Sequence, residues 1–218
     1  MNESVDSKLI SKVFFWMFLG LLGTAIFSWY TYSSGLIANI ITGNYWKILL
    51  AVELLVVILF SLLFKKMSPM AVGILYFVYS MLNGVTLSSI FVLYELNSII
   101  YLFLGSSAVF GILAFIGYKT EKDISNWRRI LFPILIVGLI LSLINLFVGN
   151  SMLDIILDWV LLFTFFGVTV YDMNKIKNLQ YEEGVDQDKL YIYGAMELYL
   201  DFINIFIRIL SLFGKRRD

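Results

Sequence analysis

The sequence predicts an all-α integral membrane protein, a single transmembrane domain over residues 1–218 with seven spanning helices. Composition is the first reason. The 218 residues are 60% hydrophobic and 15% charged, whereas soluble domains run to about 25% charged and under about half apolar. The second reason is segmental. Stretches near 11–33, 46–64, 70–94, 98–118, 130–149, 152–172 and 191–213 are apolar at about the 20-residue length that crosses a hydrocarbon core.

Each span has its own signals. The first follows MNESVDSKLI, which holds two acids and runs into apolar sequence with no small-residue cleavage site, so it reads as a retained helix. It closes near Trp29, and Trp46 opens the second, as interfacial aromatic anchors do. The third ends at Glu95 and the fourth before Lys119. The fifth begins beyond Trp127, and the sixth carries Trp159 and closes at Asp172. The seventh holds several ionisable residues. Gly20 with Gly23, and Ser107 with Gly111, are small pairs that would permit close helix packing. The loops are short, leave no room for a soluble domain and show no internal repeat.

Lys and Arg set the orientation. The N-terminus has Lys8 and Lys12, and the second loop Lys65 and Lys66. The fourth loop has Lys119, Lys122, Arg128 and Arg129, and the sixth Lys175, Lys177 and Lys189. The first, third and fifth loops together offer only Lys47. The N-terminus is therefore expected in the cytoplasm. The tail GKRRD is the exception, since seven full spans put its basic residues outside. Either the earlier loops fix the topology or the last segment does not fully cross; the balance of charge favours seven spans. Glu95, Asp154 and Asp158 lie near outer span ends. They read either as loop acids that aid solubility or as an acidic outer vestibule that concentrates cations.

Composition also excludes chemistry. The chain has no cysteine and no histidine. This removes disulfides, thiol catalysis, Cys- or His-ligated metals and imidazole pH sensing. Equal numbers of acids and bases, 16 of each, with no long basic run, give no reason to expect nucleic acid as a partner.

Within the apolar spans stand Glu53, Asp172, Glu197, Asp201 and Arg208, with the amides Asn83, Asn145 and Asn204. Charge in mid-bilayer costs about 3 kcal/mol or more, so such residues are functional candidates by default. On the last helix Glu197, Asp201, Asn204 and Arg208 are spaced 4, 3 and 4 apart. At 100° per residue they fall within about 60° of each other. This narrow polar stripe should face a cavity or polar partners; a packing network and an ion path fit it equally. Taken alone, Asp172 reads as an ordinary helix-end acid. With the end of span 6 and the start of span 7 both on the cytoplasmic side, it could instead approach Asp201 near the inner half of the membrane. Two such carboxylates in a low-dielectric site tend to share a proton.

Several blocks now line up. YDMNKIK (171–177) and LYLDFINIF (198–206), with NGVTLSSIF (83–91), KTEKDIS (119–125) and INLF (144–147), occur in the order of the Bax inhibitor motif family. The chain resembles that family of seven-span membrane proteins, and its small bacterial members in particular, over essentially its whole length. The resemblance implies six helices around a central polar seventh, in a bacterial inner membrane, forming a pH-sensitive calcium leak. It makes Asp172 and Asp201 the proton-sharing gate, with transient Ca²⁺ contact. It makes Lys65 or Lys66 a latch onto Asp172, where bacterial relatives are expected to carry arginine; lysine cannot form the same bidentate pair. Glu53 matches an acidic position of the second span, and with Asn83, Glu197, Asn204 and Arg208 it would line the ion path.

Lipid, calcium and protons are then the expected partners, with no cofactor beyond the transported ion and no enzymatic activity. The alternative is a regulatory protein that binds a membrane protease or another membrane protein, since the family is associated with stress and cell-death control. A third reading, an intramembrane aspartyl protease, also needs two aspartates on adjacent helices. It needs a Gly-x-Gly-Asp block too, and Asp201 follows Leu-Tyr-Leu. It needs a late Pro-Ala-Leu as well, and the two prolines are Pro69 and Pro133.

Overall fold

The computed structural model describes residues 3–178 and 186–217. Among these the regular structure is helical: α1 (Glu3–Ser33), α2 (Leu36–Thr42), α3 (Tyr45–Leu63), α4 (Pro69–Leu87), α5 (Ile90–Leu93), α6 (Leu96–Lys119), a 3₁₀ turn (Ser125–Trp127), α7 (Arg128–Val148), α8 (Ser151–Ile176) and α9 (Gln187–Phe213).

Local chemistry sets the boundaries. Ser68 caps α4 by accepting from the Ala71 N–H at 3.3 Å, and Pro69 takes the first helical position, where no donor is needed. Asn150 caps α8 by accepting from the N–H groups of Met152 and Leu153. Gly149 ends α7 at φ 70°, a left-handed conformation that glycine adopts without strain. The stretch between the first two spans, expected as a plain loop, holds α2. It is set off by left-handed Gly35 before it and Asn44 after it. The third predicted span is α4 and α5 separated at Ser88 and Ser89, whose hydroxyls bond to the carbonyls of Val85 and Thr86.

Among the described residues, six helical stretches are long and apolar enough to cross a membrane: Lys8–Ser33, Tyr45–Leu63, Pro69–Leu93, Leu96–Lys119, Ser125–Val148 and Ser151–Ile176. Helix α9 is 27 residues long, about 40 Å at 1.5 Å per residue. It stands outside the apolar set because it carries Asp188, Lys189, Glu197, Asp201 and Arg208. Large apolar side chains point outward along the spans, among them Leu62, Tyr101 and Phe147, as a lipid-facing surface requires.

The chain forms two compact units. The first comprises α1 to α5, the start of α9 through Tyr199, and Arg217; the second runs from Glu95 to Asn178 and takes in Leu200–Arg216. In the first unit α1 packs along α4, and α3 packs on α4. Gly84 permits the α1–α4 approach: a Cβ there would lie 2.6 Å from the Thr24 carbonyl oxygen. In the second unit α8 packs against both α6 and α7. There Gly117 plays the same part, 2.5 Å from the Val170 carbonyl oxygen. Sequence spacing pointed to other small residues, and the structure corrects two of them. A Cβ on Gly23 meets nothing nearer than 4.0 Å, and Gly111 faces open space; Gly20 does sit tightly, against Tyr76. Small residues mark close packing only where a neighbouring helix comes within reach, which spacing along one helix does not reveal.

Candidate functional site

In the second unit, Asp172 near the end of α8 and Asp201 in the middle of α9 are 6% and 3% exposed. The segment carrying Asp172 is fixed by its neighbours in YDMNKIK. Tyr171 joins a core with Val170 and Ile124, covered by Leu113 and Leu131. Asn174 donates to the carbonyl oxygens of Gly117 at 3.4 Å and Thr120 at 2.7 Å. Lys177 donates to that of Tyr118 at 3.2 Å and also to that of Thr120. A cation at the C-terminal end of α6 complements both the free carbonyls and the helix dipole. The motif therefore places its aspartate on a helix end held at three backbone oxygens. In the adjoining KTEKDIS block, the Ser125 N–H donates to Asp123 at 2.9 Å, and with the Ser125 hydroxyl it holds that exposed carboxyl below the usual carboxylate range.

At the other end of this unit the stripe residue Arg208 meets Asp158 of α8. Nη1 lies 2.6 Å from Oδ1, and the two side chains are 19% and 8% exposed. Ser211 donates to Asp158 Oδ2 at 2.5 Å. Of the three acids expected near the outer ends, Asp158 is thus a buried ion-pair member. Asp154 accepts from Asn145 Nδ2 at 2.5 Å, and Glu95 pairs with Lys215 at 2.6 Å. Asn204 is half-buried and bonds its own helix, donating to the Leu200 carbonyl at 2.8 Å.

The first unit contains a second polar cluster. Glu53, buried on α3, accepts from Thr86 Oγ1 at 2.5 Å and from Asn83 Nδ2 at 3.5 Å. Asn83 Oδ1 accepts from the Tyr199 hydroxyl at 3.0 Å, and that hydroxyl lies 2.6 Å from Thr24 Oγ1. Glu197, half-buried on α9, belongs to the same unit. Lys65 and Lys66 are both exposed in the turn after α3. Lys189, which sequence reading used only for orientation, is buried. Its Nζ donates to the carbonyl oxygens of Lys65 at 3.0 Å and Met67 at 2.9 Å. Lys189→Met removes both charge-assisted bonds to this turn, an expected loss of about 1–3 kcal/mol. A thermal melt in detergent indistinguishable from wild type would show that these contacts contribute nothing.

Thr24, Thr86 and Tyr199 were not singled out from sequence, and no signal would have done so, because hydroxyl side chains are common in apolar helices. Among the described residues, no group of three or more acidic side chains gathers into a metal-holding cluster.

An all-helical chain with six membrane-length apolar helices and buried carboxylates, amides and cations among them is a multi-span membrane protein. Its family is equally defined: over residues 6–218 the chain matches the family described as Inhibitor of apoptosis-promoting Bax1, and it belongs to that family. Inner membrane protein YbhL of Escherichia coli (strain K12) is 36% identical over 216 residues, 95% of this chain and 92% of that one. An uncharacterized membrane protein of Streptococcus pyogenes serotype M1 is 39% identical over 165 residues, 75% of this chain and 72% of its own length. An uncharacterized protein of Deinococcus radiodurans is 32% identical over 212 residues, 96% and 90% of the two chains.

Proposed function

We propose that the protein is a passive, pH-gated cation leak of the bacterial inner membrane, with Ca²⁺ as the transported ion and no enzymatic step. In this reading α9 is the seventh, central crossing, and the N-terminus is cytoplasmic. The observation that carries it is the burial of Asp172 and Asp201, on α8 and α9, within one compact unit of a chain that has no histidine. Two carboxylates withdrawn from water favour a shared proton, and carboxylate oxygens suit a hard cation such as Ca²⁺. Full crossing by α9 is supported at both of its ends. Lys189 near its start bonds the turn between α3 and α4, whereas Arg217 beyond its end donates to the Tyr32 hydroxyl at 2.7 Å and the Phe91 carbonyl at 2.9 Å. Those sites mark opposite ends of the packed pair α1 and α4. The same contacts bear on the basic tail: Lys215 is matched by Glu95, and Arg217 is spent on Tyr32 and Phe91.

Mechanistically, the shared proton holds the pair together and the pathway closed. Its loss separates two anions and favours the open form. The inner-membrane location rests on relatives such as YbhL. The test is Ca²⁺ flux into liposomes holding the purified protein, measured across pH for wild type, Asp172→Asn and Asp201→Asn. The expected result is flux that falls on acidification in wild type and loses its pH response in both variants. Unchanged flux and pH response in both variants would remove the pair from the gate. No flux from wild type at any pH would favour the regulatory alternative, in which helix surfaces bind a membrane protease or another membrane protein.

A further inference from the structure

We propose that Tyr199 is a positioning residue that sets the rotation of α9, and so the direction in which Asp201 faces, through a hydrogen-bonded chain ending on Glu53. This rests on the leak reading for its functional consequence but not for its geometry. Tyr199 is fully buried, and its ring is met edge-on by Tyr76 and Tyr79 at centroid distances of 6.0 and 5.9 Å. Its hydroxyl is held by two helices at once: Thr24 of α1 at 2.6 Å and Asn83 of α4 at 3.0 Å.

Proton counting gives the chain a direction. The Tyr199 hydroxyl donates to Asn83 Oδ1, Asn83 Nδ2 donates to Glu53 Oε2, and Thr86 donates to Glu53 Oε1. With the tyrosine proton committed to Asn83, Thr24 is the donor in the 2.6 Å contact. It has one proton and two further acceptors in reach, the carbonyl oxygens of Gly20 at 3.0 Å and Ser80 at 2.9 Å. Donors therefore converge on Glu53, and the titratable groups around Tyr199 are Tyr76, Tyr79 and Glu53.

The helix wheel supplies the consequence. Residues two apart lie about 200° from each other, so Asp201 projects from nearly the opposite side of α9 to Tyr199. The rest of the stripe, Glu197, Asn204 and Arg208, turns with Asp201. A ring boxed by two tyrosines and a hydroxyl bonded on two sides leave α9 one azimuth at this level. Glu53 is then a remote support of the gate through Asn83, which separates its role from lining the ion path.

The test uses a cysteine-free chain to advantage. A reporter thiol, Asn204→Cys, is labelled with a water-soluble maleimide in wild-type, Tyr199→Phe, Asn83→Leu and Tyr76→Phe backgrounds. Ca²⁺ flux against pH is read separately in chains that retain Asn204. Tyr76→Phe is the control, since it also removes one hydroxyl of a buried tyrosine, there bonded to the Trp16 carbonyl at 2.9 Å. Tyr199→Phe and Asn83→Leu are expected to raise the labelling rate about fivefold, the scale of one net hydrogen bond, and to shift the pH of half-maximal flux. Tyr76→Phe should do neither. Equal behaviour of Tyr199→Phe and Tyr76→Phe on labelling would overturn the proposal. If wild type conducts no Ca²⁺, the leak reading fails and the labelling comparison alone decides the positioning role.

Discussion

Arg208→Met is expected to cost about 3–5 kcal/mol of stability, enough to abolish most folded protein. Asp158 sits inside the second unit with Arg208 Nη1 at 2.6 Å on one oxygen and Ser211 on the other. Without the guanidinium, one neutral hydroxyl faces a carboxylate whose side chain is only 8% exposed. Removing both charges together is a different experiment. Asp158→Leu with Arg208→Met takes away the pair and its desolvation cost at once, so the double variant should recover most of the loss. Denaturation in detergent, scored with the yield of monodisperse protein, ranks the three chains. A double variant as unstable as Arg208→Met alone would mean that lost packing, not a stranded carboxylate, explains the damage.

The second large effect is steric. Gly84→Ala and Gly117→Ala should each destabilise the protein by about 1–3 kcal/mol. The added Cβ of residue 84 would meet the Thr24 carbonyl oxygen at 2.6 Å and the Phe27 Cβ at 3.0 Å; that of residue 117 would meet the Val170 oxygen at 2.5 Å and the Met173 Cβ at 2.9 Å. Backbone oxygens inside a helix cannot rotate aside as a side-chain tip can, so α1 must leave α4, or α6 leave α8. Gly111→Ala is the internal control: nothing lies within 4 Å of its Cβ, and alanine is the better helix former by up to about 1 kcal/mol. Opposite signs at these positions are expected from melts of the same preparation. A Gly117→Ala chain that melts as wild type would show that the α6–α8 approach relaxes at no cost.

Much of this architecture was legible in the chain. Apolar length marked the six spanning stretches to within a few residues at most ends, because lipid imposes that length on every helix. The polar stripe on α9 followed from periodicity alone. Partnerships were not legible. Asp158 read either as a loop acid or as part of an outer vestibule, yet its cation arrives 50 residues later, and no local pattern announces that pairing. Tyr199 and Thr24, 175 positions apart, were hidden for the same reason. Lys189 was counted as a surface charge although its ammonium reaches carbonyls of a turn 122 and 124 positions away. The break at Ser88 and Ser89 escaped detection because hydropathy runs through it unchanged.

The range of these separations orders events during synthesis. The turn joining α7 and α8 is closed by Asn145, Asn150 and Asp154 through bonds spanning five and nine residues, so this turn needs no partner from elsewhere in the chain. Helix α9 brings the partners of Thr24, Asn83 and Asp158, and it is translated after the helices that carry them. Until then the Asp158 carboxylate and the Asn83 amide oxygen lack the partners that α9 supplies. Variants that weaken α9 should prolong that half-assembled state and be seen first as shortened lifetime in the cell.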